Sequence, residues 1–131
     1  PMTGTKLYRV PTALLRDPDA SDLDLANAVE FWAERPISDG ISLDNDGNIY
    51  ISALATNEIG VILGDSKIYT TLIRDETISW PDAFSYGPDG YMYVVVNQLP
   101  IFLLLNAGKD VSEAPYLIIR FRPLAPGTVG R

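Results

Sequence analysis

Apolar and polar residues alternate along a short stretch near the middle of the chain, and a turn signal interrupts the alternation. Ile41 and Leu43 precede the turn residues 45–48 (Asn-Asp-Gly-Asn), and Ile49 and Ile51 follow them. A period of two is typical of β-strands, and Asn, Asp and Gly accept the positive φ of tight turns. The pattern therefore predicts a β-hairpin.

The same pattern returns 43 residues later, from ISDGISLDNDG to WPDAFSYGPDG. Five identities and four apolar matches at one fixed offset indicate an internal repeat. The identical pairs are Asp39/Asp82, Ser42/Ser85, Asp46/Asp89, Gly47/Gly90 and Tyr50/Tyr93, and the apolar pairs are Ile41/Phe84, Leu43/Tyr86, Ile49/Met92 and Ile51/Val94.

Other segments predict further strands and one helix. A helix over about 21–33 is expected, because Ser21 is a favourable N-cap and Leu25, Val29 and Trp32 share one face. Trp32 is expected to anchor this helix on a sheet. The apolar run 101–105 predicts a buried strand or a packed loop. Strand-like runs occupy 6–10, 58–63, 67–73 and 116–122.

Four short strands in roughly 43 residues are typical of a β-propeller blade, whereas a β-sandwich needs no fixed period. The predicted fold is all-β, with four-stranded antiparallel blades and one inserted helix. A propeller typically closes with about four to eight blades, and this chain contains between two and three. We expect the remaining blades to come from a longer polypeptide or from another subunit.

Composition excludes several kinds of chemistry. The 131 residues include no cysteine and no histidine, which excludes disulfides, thiol catalysis and the usual imidazole base. A net charge of −7 argues against nucleic acid or an anionic membrane as a partner. The longest apolar run is far shorter than the roughly 20 residues of a membrane span. A bound metal would be a hard cation with oxygen ligands, such as calcium or magnesium.

Two aspartates begin the repeated hairpins and are the candidate site residues. Asp39 and Asp82 each precede the first strand of a hairpin, so the residues that follow the second strand return to the same end. These include Asn57 in the first unit and Asn97 in the second. If the blades pack around one axis, these oxygens converge and could bind a cation or a substrate. The alternative is structural, because an aspartate at a strand entrance often caps a turn.

Other acidic and aromatic residues are interpreted as structural. Asp44, Asp46 and Asp89 are predicted to stabilise the hairpin turns, and Tyr50 and Tyr93 are predicted to pack in the core or between blades. The sequence DNDG has no glutamate at the twelfth position of the loop, where Ala55 stands, so it is not an EF-hand loop.

Four stretches together resemble the C-terminal part of the yellow / major royal jelly family, whose bacterial members are labelled gluconolactonase-like or dopachrome-tautomerase-related. The stretches are TKLYRVPTALLRD, PISDGISLDNDGNIYIS, ISWPDAFSYGPDGYMYVVVNQLP and APYLIIRFRPL. The resemblance implies a six-bladed propeller and a divalent cation near its axis. By motif, Asp39 and Asp82 match ligand positions, while the N-terminal glutamate ligand has no counterpart here.

Two functions follow from the resemblance and the residues. The first is a metal-dependent, lactonase-like hydrolase, with Asp82 as ligand or base and with Asp39 and Asn97 as metal ligands or orienting groups. The alternative is a non-catalytic protein that binds a small amine or aromatic molecule through carboxylates and stacking. Asn97 and Asn57 are the predicted substrate-binding residues. A structural fragment without activity is the third possibility. Family members are often secreted, but no signal peptide is present in these residues, and no compartment is predicted.

Overall fold

The computed structural model describes residues 3–131, and these residues form three antiparallel sheets with few helices. The helices are α1 (Thr12–Leu15), α2 (Asp22–Asn27) and a 3₁₀ helix (Leu99–Ile101). The strands are β1 (Lys6–Arg9), β2 (Glu30–Glu34), β3 (Ser38–Leu43), β4 (Ile49–Ala53), β5 (Glu58–Ile62), β6 (Tyr69–Arg74), β7 (Pro81–Tyr86), β8 (Met92–Val96) and β9 (Leu117–Phe121).

Each sheet is a meander in which consecutive strands are neighbours. The first sheet contains β1–β2, the second contains β3–β4–β5–β6, and the third contains β7–β8–β9. Ser42 pairs with Tyr50 in the second sheet, and their repeat partners Ser85 and Tyr93 pair in the third. The two predicted hairpins are therefore confirmed. The prediction of four-stranded units is confirmed for the second sheet, whereas the third sheet has three strands among the described residues, because the long connection after β8 leads to a single further strand.

The predicted helix over 21–33 is wrong beyond its first two turns. Helix α2 ends at Asn27, and its start matches the prediction: the Ser21 hydroxyl accepts from the Asp24 amide, and the Asp24 carboxylate accepts from the Ser21 amide. Residues 30–34 instead form β2, which pairs with β1. A β-branched and aromatic segment such as Val29–Trp32 suits a strand when a neighbouring strand can pair with it.

Apolar clusters join the three sheets face to face. Between the first and second sheets, Ala33 packs with Ile51 and Ile62, and the Trp32 ring lies against this cluster as an anchor. The cluster between the second and third sheets contains Tyr50 and Val61 of the second and Tyr86 and Met92 of the third. The core is thus two interfaces between stacked sheets.

The C-terminal segment ties the second and third sheets together at the far ends of β3 and β7. The Tyr86 amide donates to the Arg131 carbonyl over 3.0 Å, and the Gly130 amide donates to the Tyr86 carbonyl over 2.9 Å. The Asn45 amide, in the β3–β4 turn, donates to the Pro126 carbonyl over 2.9 Å. This segment therefore braces the end of the stack opposite Asp39 and Asp82.

The apolar run 101–105 is not a buried strand. After the 3₁₀ helix the chain forms turns, and Leu104 is 81% exposed. Phe102, Leu103 and Leu105 are also exposed. No helix within residues 3–131 is long and apolar enough to cross a membrane.

Candidate functional site

The third sheet brings Asp82 and Asn97 into direct contact. Asp82 is the second residue of β7, and Asn97 follows the last residue of β8; the neighbouring residues Pro81 and Val96 are paired across the two strands. The Asn97 Nδ2 donates to Asp82 Oδ2 over 2.5 Å. The predicted proximity of these residues is confirmed, while their roles remain a prediction.

Asp39 lies at the same end of the stack, beside the strand that carries Asp82. Its Oδ2 accepts a hydrogen bond from Trp80 Nε1 over 2.9 Å. Trp80 is two residues before Asp82 and has a φ of 53°, so the chain turns sharply into β7. Gly40, the residue after Asp39, lies against the backbone carbonyl of Asp82. The repeat therefore places both aspartates at one end of adjacent strands, as expected.

Asn57 is not brought into this group by the hydrogen bonds of the described residues. It lies in the turn between β4 and β5 with a φ of 53°. Its carbonyl accepts from the Asp75 amide over 3.2 Å, which fixes that turn against the end of β6. The predicted substrate contact of Asn57 stays a prediction.

The described residues fit a hydrogen-bonding site better than a cation site. Asp82 and Asp39 each accept from an N–H donor, and Asn97 turns its NH₂ group toward the carboxylate. A calcium or magnesium ion would need oxygen atoms converging from several directions. Within residues 3–131, no group of three or more Asp, Glu, His or Cys side chains is arranged to hold a metal ion. The metal role of Asp39, Asp82 and Asn97 therefore stays a prediction.

A cavity of about 310 Å³ adjoins Asn97 in the long connection between β8 and β9. It is lined by Asn97, Leu99, Phe102, Ser112 and Tyr116. The Ser112 hydroxyl lies 3.2 Å from the Tyr116 hydroxyl, so two hydroxyls stand together at the wall. Aromatic and apolar walls with a few convergent polar groups are typical of small-molecule sites.

Gln98 fixes the loop that forms this cavity. Its Nε2 donates to the Glu113 carbonyl over 2.7 Å, and its Oε1 accepts from the Glu113 amide over 3.0 Å. The sequence analysis missed Phe102, Ser112 and Tyr116. The signal that could have found them is the length of the segment from 97 to 116, because a long loop with its own aromatic residues often carries a site.

Asp44 and Asp89 have the predicted structural role in the hairpin turns, and Asp46 lies in the first of these turns. Asp44 is buried, and its carboxylate accepts from the Asp46 and Asn48 amides at 3.0 and 2.9 Å and from the Tyr50 hydroxyl at 2.9 Å. In the second hairpin, Asp89 accepts from the Tyr93 hydroxyl over 2.7 Å. This hydrogen bond is the main reason that the pKa of Asp89 lies below its usual range.

Comparison with known proteins gives similarity in fold alone. No protein-family model and no curated protein matches the chain. The chain is similar to one in a solved structure described as the crystal structure of a nidogen/laminin complex, with a TM-score of 0.57 and 16% sequence identity. The match covers 75% of this chain and 36% of that chain. The neighbour is propeller-like, and the three stacked antiparallel sheets fit that architecture.

Proposed function

We propose that this chain supplies blades of a six-bladed propeller of the yellow / major royal jelly type, and that it binds a small aromatic molecule at the end where Asp39 and Asp82 lie. The observation that carries this proposal is the hydrogen-bonded Asp82–Asn97 pair at the rim of the cavity lined by Phe102 and Tyr116. A carboxylate, an amide and two aromatic rings suit a ring that carries an amine or a hydroxyl group.

In this proposal the residues have separate roles. Asp82 holds the Asn97 amide in place and supplies negative charge, Asn97 contacts the polar substituent, and Phe102 and Tyr116 contact the ring. A cation on the ligand is favoured over an anion, because the chain carries a net charge of −7 and Asp82 forms no ion pair among the described residues.

Three probes of one shape test the charge preference: benzylamine, benzyl alcohol and benzoate, titrated into the chain and followed by NMR chemical shifts of the 97–116 amides. We expect benzylamine to bind most tightly and benzoate most weakly. Asp82→Asn should reduce the difference between benzylamine and benzoate. The matched control Asp65→Asn removes one exposed charge from a turn in the second sheet and should leave the order intact. Equal weak shifts for all three probes would contradict the proposal.

A metal-dependent lactone hydrolase is the second candidate, favoured by the placement of two carboxylate residues at one end of adjacent strands. Within residues 3–131, no group of three or more Asp, Glu, His or Cys side chains is arranged to hold the cation. Sugar-lactone hydrolysis measured with added calcium, magnesium, manganese or zinc tests this candidate. Absence of activity with every metal, together with no effect of Asp82→Ala, would eliminate it.

A further inference from the structure

The internal repeat shows which apolar positions of the second sheet are less covered than their partners in the third sheet. In the third sheet, Tyr86 is 2% exposed and Met92 is fully buried, because Tyr50 and Val61 of the second sheet lie on them. The repeat partners of Phe84, Tyr86 and Met92 are Ile41, Leu43 and Ile49. Ile41 is 52% exposed, and the other two are only half-buried. Tyr86 and Met92 are therefore more deeply buried in the third sheet than their repeat partners are in the second.

These partly covered positions border an open notch between the first and second sheets. Two cavities, of about 430 and 370 Å³, share Leu7, Tyr8 and Ile41 as lining residues, and Leu43 and Ile49 line the second. We call these five residues the inner notch. Strand β1 runs along it and pairs only with β2 among the described strands, so its other backbone edge faces the notch. An unpaired edge beside apolar side chains is a template for an added strand.

We propose that the inner notch is a docking site for a β-hairpin, which adds to the free edge of β1 and places an apolar face on Ile41, Leu43 and Ile49. The docked hairpin would repeat, on the second sheet, the packing already seen between the second and third sheets. It would lie on the second sheet as β3–β4 lies against β7 in the third, where Gly40 contacts the Asp82 carbonyl. The proposal rests on the propeller architecture and is independent of ligand binding.

The occupant is a hairpin with the pattern of β3–β4, supplied by another polypeptide segment. In a second copy of this chain the repeat hairpins are not free for this pairing, since β4 is already paired with β5 and β8 with β9. A free hairpin has an unpaired outer strand that can hydrogen-bond to β1. Its inward side chains would fill the two cavities, which together exceed the volume of a few aliphatic side chains.

A synthetic peptide of residues 37–54, which contains no tryptophan, tests the proposal. It is titrated into the Trp80→Phe chain, in which Trp32 on the wall of the second cavity is the fluorescent reporter. We expect a saturable change in Trp32 emission and slower hydrogen exchange of the β1 amides. Ile41→Asp in the chain, with the peptide unchanged, should weaken peptide binding at least about tenfold. The matched control Ile118→Asp, 70% exposed on the third sheet, should change it less than about twofold.

Three outcomes would overturn the proposal. The first is no change in Trp32 emission or in β1 exchange when circular dichroism shows the chain to be folded. The second is an equal loss of affinity in Ile41→Asp and Ile118→Asp. The third is self-association of the chain, seen by sedimentation, that Ile41→Asp abolishes, because this would assign the notch to a second copy. A peptide with Ile51→Pro, which cannot form the hairpin ladder, should not bind.

Discussion

Gly40 of β3 lies directly against the backbone carbonyl of Asp82 in β7. A Cβ built on Gly40 would lie 1.7 Å from that carbonyl oxygen, so only glycine permits this approach. The contact holds the first strands of the second and third sheets together at the end where Asp39 and Asp82 lie. One backbone contact therefore supports both the sheet packing and the placement of the candidate site.

Gly40→Ala should separate β3 from β7, because the opposing atom is backbone and cannot rotate away. We expect a loss of about 1–3 kcal/mol in the free energy of unfolding, together with shifted Asp82 and Asn97 resonances. Urea denaturation and NMR spectra measure both effects. Ser85→Ala, at an exposed position of β7, should change stability by less than about 0.5 kcal/mol. Wild-type stability of Gly40→Ala would contradict the close approach.

Tyr50 and Tyr93 are repeat partners, yet their hydroxyls differ in burial. The Tyr50 hydroxyl donates to Asp44 over 2.9 Å and accepts from the Leu124 amide over 2.6 Å, in a fully buried position. Tyr50→Phe removes both hydrogen bonds, leaving the Leu124 amide without this acceptor and Asp44 with only its bonds from Asp46 and Asn48. The change should cost about 1–3 kcal/mol of unfolding free energy. Tyr93→Phe is the matched control, since its partner Asp89 is exposed to water, and a clearly smaller loss is expected. Equal losses would count against this interpretation.

Stability should fall at alkaline pH. Burial raises the pKa of Tyr50, Tyr69 and Tyr86, so these hydroxyls keep their protons in the folded chain after unfolded tyrosine has lost them, above about pH 10. The folded state then binds more protons than the unfolded state, and the free energy of unfolding decreases as pH rises. Urea denaturation between pH 8 and pH 11 should show this decrease, and Tyr50→Phe should make it shallower. A free energy of unfolding that does not change over this pH range would contradict the burial of these tyrosine hydroxyls.

Arg74 should contribute more to stability than its exposure suggests. Its guanidinium pairs with Glu58, whose side chain is only 3% exposed and also accepts from Tyr69 and Thr71. Arg74→Ala leaves a buried carboxylate without its cation and should cost about 2–4 kcal/mol.

Arg9→Ala is the matched control for this ion pair, because Arg9 and Glu30 are both more than half exposed. Its loss should be below about 1 kcal/mol. Thermal denaturation of both variants measures the difference. The double variant Arg74→Ala with Glu58→Gln should recover part of the loss, since it removes the unpaired charge. No recovery would mean that packing, and not charge, dominates.

The sequence predicted local structure well wherever a period and a turn signal coincided. The two hairpins follow from the alternation and turn signals that recur at the 43-residue offset. The contact between Asp82 and Asn97 follows from the return of a hairpin to the end where it began, and the four-stranded unit follows from the strand-like runs after the first hairpin. The helix over 21–33 was extended too far because Trp32 matched a helical face, whereas pairing of β2 with β1 determines the structure there. Propensity is a weak indicator when a neighbouring strand offers hydrogen bonds.

The candidate site was predictable only in part, because its cavity depends on a loop without periodicity. The Gln98–Glu113 hydrogen bonds join residues 15 apart and bring Phe102 and Tyr116 near Asn97. No alternation or spacing signals such a closure. The run 101–105 was predicted to be a buried strand or a packed loop, and residues 102–105 are exposed. An apolar sequence does not reveal whether another element covers it.

The C-terminal brace has a consequence for the order in which the molecule opens. Backbone hydrogen bonds from residues 124–131 join the second and third sheets, so these two should unfold as one cooperative unit. The first sheet has two strands and a free edge, and packs on the second mainly through side chains. Native-state fluctuations should therefore release β1 and β2 first. We therefore expect the second and third sheets to form a stable pair and the first sheet to open independently of them.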